Sequence, residues 1–193
     1  MSIHLHPKFY KLLALPLALL AGMATSWAQS GEGVRILPGE TEIEITGTLA
    51  LGISQKFAAA LAAAPQARLV RLESDGGILS EAMLIQGAIK ARELDTAVRT
   101  ACESACTIAY LGGRRRFAAP GARFGFHRAG STPGDIGAAD LMVRGFYAQA
   151  GLTEDFVDQV MATPVTRMWR PDMKALRRAG VVTQIEAVGQ KAQ

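Results

Sequence analysis

Three short segments carry residue types able to do covalent chemistry. The first is Ser74-Asp75-Gly76-Gly77. Paired glycines let a backbone pass close to a ligand and turn N–H groups outward, which suits a developing oxyanion when a helix follows. The same four residues also read as a plain tight polar turn. No Lys-Ser/Thr pair follows at the spacing of a nucleotide-binding P-loop, so that chemistry is excluded. The second segment is Cys102-Glu103-Ser104-Ala105-Cys106-Thr107. A hydroxyl at the mouth of an apolar helix is a candidate nucleophile, with the helix dipole favouring developing negative charge. It is equally a candidate N-cap, spent on a backbone N–H. The third is His127, in Phe124-Gly125-Phe126-His127-Arg128. An imidazole at the end of an apolar strand, before a loop containing Gly130, Pro133 and Gly134, is placed as a general base, or as a half-buried, hydrogen-bonded histidine.

Cys102 and Cys106 admit three readings. A metal pair lacks further ligands, because His127 is the one histidine beyond residue 28. A thiolate nucleophile needs a reducing compartment. A disulfide would brace the turn around Ser104, although an i, i+4 pair inside a regular helix fits bridge geometry poorly.

The compartment follows from the first 28 residues. Lys8 and Lys11 precede an apolar run over 12–25, and Ser26-Trp27-Ala28 puts small residues at −3 and −1. This reads as a signal peptide, cleaved to leave Gln29 as the N-terminus of a domain over 29–193. The apolar run is short for a membrane anchor and contains Pro16 and Gly22. The mature chain is expected to be periplasmic or secreted, with no membrane association, in an oxidising compartment that permits a bridge between Cys102 and Cys106.

The elements that must position these groups alternate between strand and helix. Residues 42–46 alternate charged and β-branched types and read as a half-exposed strand; 51–64 is an alanine-rich helix stopped by Pro65. A strand over 68–73 runs into the double glycine. Ile78, Ala82, Ile85 and Ile89 then share a helical face. The pattern next predicts a strand at 95–100, a buried helix at 102–111, and short strands at 115–118 and 123–126 flanking Pro120-Gly121. Helices follow over 136–150, 153–161 and 172–178, then a strand-like 181–183. Residues 29–39 read as a lead-in without periodicity. Such alternation argues for one α/β domain with a largely parallel sheet.

Composition narrows the functional classes. Of the 193 residues, 49% are hydrophobic and 20% charged, which excludes disorder and coiled coil as the main class. The net charge of +4 falls to +2 without the leader, too weak and scattered for a nucleic-acid partner. No motif implies a metal or an organic cofactor.

Taken together, the three segments resemble the serine peptidases of the ClpP/crotonase fold, the superfamily of the Clp proteolytic subunit, signal peptide peptidase A and the NfeD-type peptidases. Ser74-Asp75-Gly76-Gly77 is similar to the Clp pattern Ser-Pro-Gly-Gly. Ser104 through Gly125, including Ala118-Ala119-Pro120-Gly121-Ala122, is similar without gaps to the serine-containing block of the NfeD type. Arg116-Phe117 through Pro120 to Phe126-His127 resembles the Clp stretch ending in its catalytic histidine, and Ala175 with Gly180-Val181-Val182 resembles the Clp tail. The resemblance covers residues 42–186. It implies a spiral of β-β-α units, Ser104 as nucleophile, His127 as general base, and an oxyanion hole from amides of Gly76 and Ala105, with Gly77 beside them.

Three departures stand out. The Clp alignment needs a two-residue shift at the serine, without which Cys106 or Cys102 takes the slot. Met168 stands where that family has its aspartate, leaving Asp172, Asp155 or Asp158 as candidate replacements, Asp172 foremost. Lys56, Lys90, Lys174 and Lys191 include no partner for a Ser-Lys dyad. The resemblance therefore implies an exported serine hydrolase, a peptidase acting on peptides or proteins. The competing reading is a catalytically inactive ClpP-like protein that binds extended peptides or partner proteins. An acyl-CoA enzyme of the crotonase type is disfavoured, since no adenine-binding pocket is recognisable. Assembly into homo-oligomers through faces such as Phe146-Tyr147 is expected; an ATPase partner is not, in a compartment without ATP.

Overall fold

The computed structural model describes residues 33–129 and 136–186. The 1–28 leader and the loop containing Gly130, Pro133 and Gly134 lie outside the described residues.

The elements in chain order are β1 (Gly33–Ile36), β2 (Glu42–Thr46), α1 (Ile53–Ala63), β3 (Leu69–Glu73), α2 (Leu79–Ala91), β4 (Asp95–Val98), β5 (Ala101–Glu103), α3 (Ala105–Tyr110), β6 (Arg116–Ala118), β7 (Arg123–Gly125), α4 (Ile136–Gln149), α5 (Glu154–Ala162), α6 (Met173–Arg178) and β8 (Gln184–Ile185). Six strands form one sheet in the order β1-β2-β3-β4-β6-β8, parallel throughout except for the antiparallel β1 edge. β5 and β7 form a separate parallel pair. The architecture is mixed α/β with a mostly parallel sheet.

The core strands are apolar because helices cover them. Val70, Leu72, Ile43 and Ile45 are fully buried, and α2 turns Ala82, Ile85 and Ile89 inward while Leu84 faces solvent. The buried Arg71 on β3 is satisfied by Glu42 at 2.6 Å and Glu186 at 3.4 Å. Asp95, buried on β4, accepts from the backbone N–H and the guanidinium of Arg115.

Three boundaries differ from the sequence expectation, each for a physical reason. Residues 33–36 form an edge strand, held by a hairpin return from β2 that local alternation does not reveal. The expected helix at 102–111 is split: Ala101–Glu103 pair with β7 as a strand, and the helix begins only at Ala105. An uncharged run of this kind has no period that separates buried strand from buried helix. Val181 and Val182 are buried but not in a ladder. Their amides return to the Leu176 carbonyl, and Arg116 takes the carbonyls of Gly180 (2.7 Å) and Val181 (3.0 Å), which moves the strand on to 184–185.

Candidate active site

The β5–β7 pair brings two distant segments to one sheet edge. Glu103 lies opposite Gly125, so Ser104 follows the pair by one residue and His127 by two. The Ser104 N–H donates to the Gly125 carbonyl at 2.8 Å. Past β7 the chain is clamped: Phe126 and Trp169 exchange two backbone hydrogen bonds of 2.9 Å, and the Arg128 N–H donates to Thr163. The Phe126 ring packs edge-on against Phe156 at 5.0 Å, and Phe156 against Trp169 at 4.8 Å, an aromatic buttress immediately before the histidine.

Ser104 occupies the N-cap position of α3 but makes no side-chain cap bond. Its backbone lies at φ 53°, ψ −127°, a region that costs a non-glycine residue roughly 1–3 kcal/mol and persists only where surroundings enforce it. A sharp strand-to-helix turn of this kind lifts a hydroxyl clear of its own helix. The Thr107 hydroxyl donates to the Ser104 carbonyl at 2.7 Å and holds the turn from the helix side.

The freed hydroxyl meets the imidazole. Ser104 Oγ lies 2.6 Å from His127 Nε2, and His127 Nδ1 lies 2.6 Å from the Arg128 carbonyl oxygen. A carbonyl only accepts, so Nδ1 carries the ring proton and Nε2 presents its lone pair to the serine O–H. That is the tautomer in which a histidine can draw off a serine proton.

The amides beside the serine are distributed differently from expectation. The Gly76 N–H donates to Ser74 Oγ at 3.1 Å and is spent. Leu49 bridges Gly77 in parallel fashion, donating to the Gly76 carbonyl and accepting from the Ile78 N–H. This pattern aims the Gly77 amide away from Leu49, and it donates no hydrogen bond among the described residues. Ala105 supplies the first N–H of α3, which has no carbonyl one turn back. Gly77, Ala105, Ser104 and His127 all line one cavity of about 400 Å³. Gly76 is the spacer instead: a Cβ there (φ +104°) would stand 2.7 Å from Ser104 Cβ and 2.8 Å from the Glu103 carbonyl.

Leu79, Ile108, Val143 and Tyr147 form an apolar wall of the cavity, and Arg128 lines it as well. Burial pushes the Tyr147 phenol up to about 12, so it is neutral, with its hydroxyl 3.5 Å from Thr107 Oγ1.

Two of the three candidate acids are occupied elsewhere. Asp172 caps α6, accepting from the Ala175 N–H at 2.7 Å, and its bond is solvent-exposed. A short polar side chain just before a helix is satisfied locally, which removes it from the imidazole. Asp158 pairs with Arg144 at 2.6 Å on the surface, and Asp155 lies in the first turn of α5. Met168 packs towards β7: a Cβ on Gly125 would meet its sulfur at 2.6 Å. Among the described residues no carboxylate is paired with His127. The buried Glu103 forms a two-pronged bond with Arg170 (2.8 and 2.9 Å), tying the residue before the serine to the segment carrying Trp169. This pair, 67 positions apart, has no sequence signal. Cys102 and Cys106 are bridged, with Cα atoms 5.3 Å apart; the bridge joins β5 to α3 rather than spanning a helical turn.

No protein-family model matches the chain, and no curated protein matches it. Solved structures do. ClpP1 from Listeria monocytogenes superposes with a TM-score of 0.65 at 16% identity over 76% of this chain and 91% of that one. A point mutant of that ClpP1 gives the same TM-score and coverage at 18% identity. The chain has a ClpP-like fold. In this frame Ser104 directly follows β5 and His127 lies two residues beyond β7.

Proposed function

We propose that this chain is an exported serine hydrolase, a peptidase that works by acyl transfer. The observation that carries the reading is the 2.6 Å contact between Ser104 Oγ and His127 Nε2, with the opposite ring nitrogen committed to a carbonyl. Ser104 attacks the substrate carbonyl while Nε2 takes its proton. The tetrahedral oxyanion is received by the amides of Gly77 and Ala105, and the proton passes from Nε2 to the leaving amine. Water then repeats the sequence on the acyl-enzyme with His127 again as base. The Arg128 carbonyl keeps the tautomer but, being neutral, stabilises the imidazolium less than a carboxylate does, so turnover is slow for this mechanism.

The apolar wall of the cavity suits an extended peptide or protein substrate with a hydrophobic side chain beside the cleaved bond. Leu141 (70% exposed) and Met142 (47%) are the face of α4 on which a second copy packs in a homo-oligomer. This corrects the expectation for Phe146-Tyr147, because Tyr147 is buried within its own chain. A monomeric mass by light scattering contradicts the oligomer.

That no carboxylate pairs with His127 among the described residues favours a second reading, a silent member of the fold that binds extended peptides in the same cavity. Hydrolysis of fluorogenic peptides with apolar residues before the reporter separates the two. Turnover lost on Ser104→Ala supports the enzyme; binding of the same peptides without turnover in the unaltered protein supports the silent reading.

A further inference from the structure

We propose that the Cys102–Cys106 disulfide is a positioning device for the nucleophile: it holds Ser104 in its raised backbone conformation, and without it the fold stands while the hydroxyl loses its aim. The proposal rests on the hydrolase reading above.

The bridge is in a poor place to stabilise the fold as a whole. In the chain-entropy view the stabilisation from a disulfide grows with the length of loop it closes, and a separation of four residues closes a very short one. Both cysteines are fully buried, where a thiol or a methyl of similar size is accommodated as a small apolar group. What the bridge does is local. It ties the middle residue of β5 to the first turn of α3, and Ser104 is the central residue of the five from Cys102 to Cys106.

That residue is one of three non-glycine positions with positive φ among the described residues, and it is the one that stands directly between two elements with no linking residue on either side. Its other restraints are non-covalent. The Ser104 N–H is held by Gly125, its carbonyl by Thr107, and the Glu103 N–H donates to Ser74. None of these spans the turn from strand to helix directly. Relaxing φ 53° to an ordinary value swings the Cα–Cβ bond, and with it Oγ, away from the 2.6 Å contact with Nε2. A displacement of about an ångström at a reacting atom typically costs on the order of 100-fold in rate.

The experiment compares the full chain with Cys102→Ala/Cys106→Ala and with Cys102→Val/Cys106→Ala, the second restoring part of the lost volume. Covalent labelling by a fluorophosphonate is followed as a function of probe concentration, giving a maximal rate and a half-saturating concentration; circular dichroism and thermal melting report the fold. The expected result is folded variants whose maximal labelling rate drops roughly 10- to 100-fold while half-saturation shifts less than about twofold, because the cavity is intact and the nucleophile is not. Wild-type labelling rates in both variants overturn the proposal and leave the hydrolase reading standing. A change in half-saturation alone also overturns it, assigning the bridge to the cavity wall. Loss of fold in both variants overturns it too, since the bridge is then a structural staple. If the unaltered protein shows no labelling above a Ser104→Ala background, it is the hydrolase reading that fails, and the proposal falls with it.

Discussion

His127 Nδ1 donates to the carbonyl oxygen of its own neighbour, Arg128, at 2.6 Å. A backbone acceptor thus does for this imidazole what a carboxylate does in a Ser-His-Asp triad, fixing which nitrogen bears the proton, but without its negative charge.

Placing an acid at position 168 should therefore gain nothing by itself. Met168→Asp is expected to leave the labelling rate of Ser104 unchanged or lower, because Nδ1 is already engaged and the new carboxylate is placed against Gly125 and the Glu103–Arg170 pair. Melting should show destabilisation of about 1–3 kcal/mol from a poorly paired charge. A tenfold rise in labelling would show that Nδ1 is free to exchange acceptors.

Gly76 and Gly77 should fail for different reasons. At Gly77 (φ +142°) a Cβ would sit 2.5 Å from the Leu49 carbonyl oxygen, so Gly77→Ala breaks the bridge that aims the Gly77 amide. At Gly76 it would collide with Ser104 itself. Each substitution is expected to cost roughly 1–3 kcal/mol of stability. Kinetics of the folded fraction should show a loss on the order of 100-fold in acylation, the scale of one missing oxyanion donor. Full activity in either variant contradicts the site as drawn.

The cavity makes its own prediction. Val143, almost wholly buried, is one of its walls. Val143→Trp should fill the space, raising KM for peptides with large apolar side chains while a small fluorophosphonate still labels Ser104. Equal loss of both activities would mean that the substitution had disturbed the dyad instead.

Glu81 is an acid-sensitive joint between α2 and the start of α1. From α2 its carboxylate accepts the amides of Gly52 and Ser54 at the start of α1, at 3.0 and 2.9 Å. Hydrogen bonds from Ser54, then Gly52, hold it below the usual carboxylate range. A depressed folded-state value gives stability that is present above the unfolded value and lost as pH falls through the folded one. Glu81→Gln should therefore melt lower than wild type at neutral pH, and the gap should close in acid. A gap constant across the acid range would contradict this.

Much of this arrangement was legible in the residues. The double glycine after a β-branched strand, the serine before an apolar helix and the isolated imidazole at a strand end each carried a local signal, and the alternation of periods pointed to a parallel sheet. What was not legible depends on partners far along the chain. Which glycine amide is free is decided by the Ser74 hydroxyl and by Leu49, not by the glycines. Whether 101–103 is strand or helix is decided by β7. The acceptor for Nδ1 is a backbone atom, present at every residue and therefore invisible in the identity of any one. Asp172 was the reverse case, a chemically suitable side chain claimed by its own helix.

The most direct test of the account is the location and dependence of a covalent adduct. Purified protein is treated with a fluorophosphonate, digested, and the modified peptide sequenced by mass spectrometry, in parallel with His127→Ala. One adduct is expected, on Ser104, formed at least about 10³-fold more slowly without the imidazole. An adduct on another residue, or a Ser104 adduct that forms equally fast without His127, would contradict it.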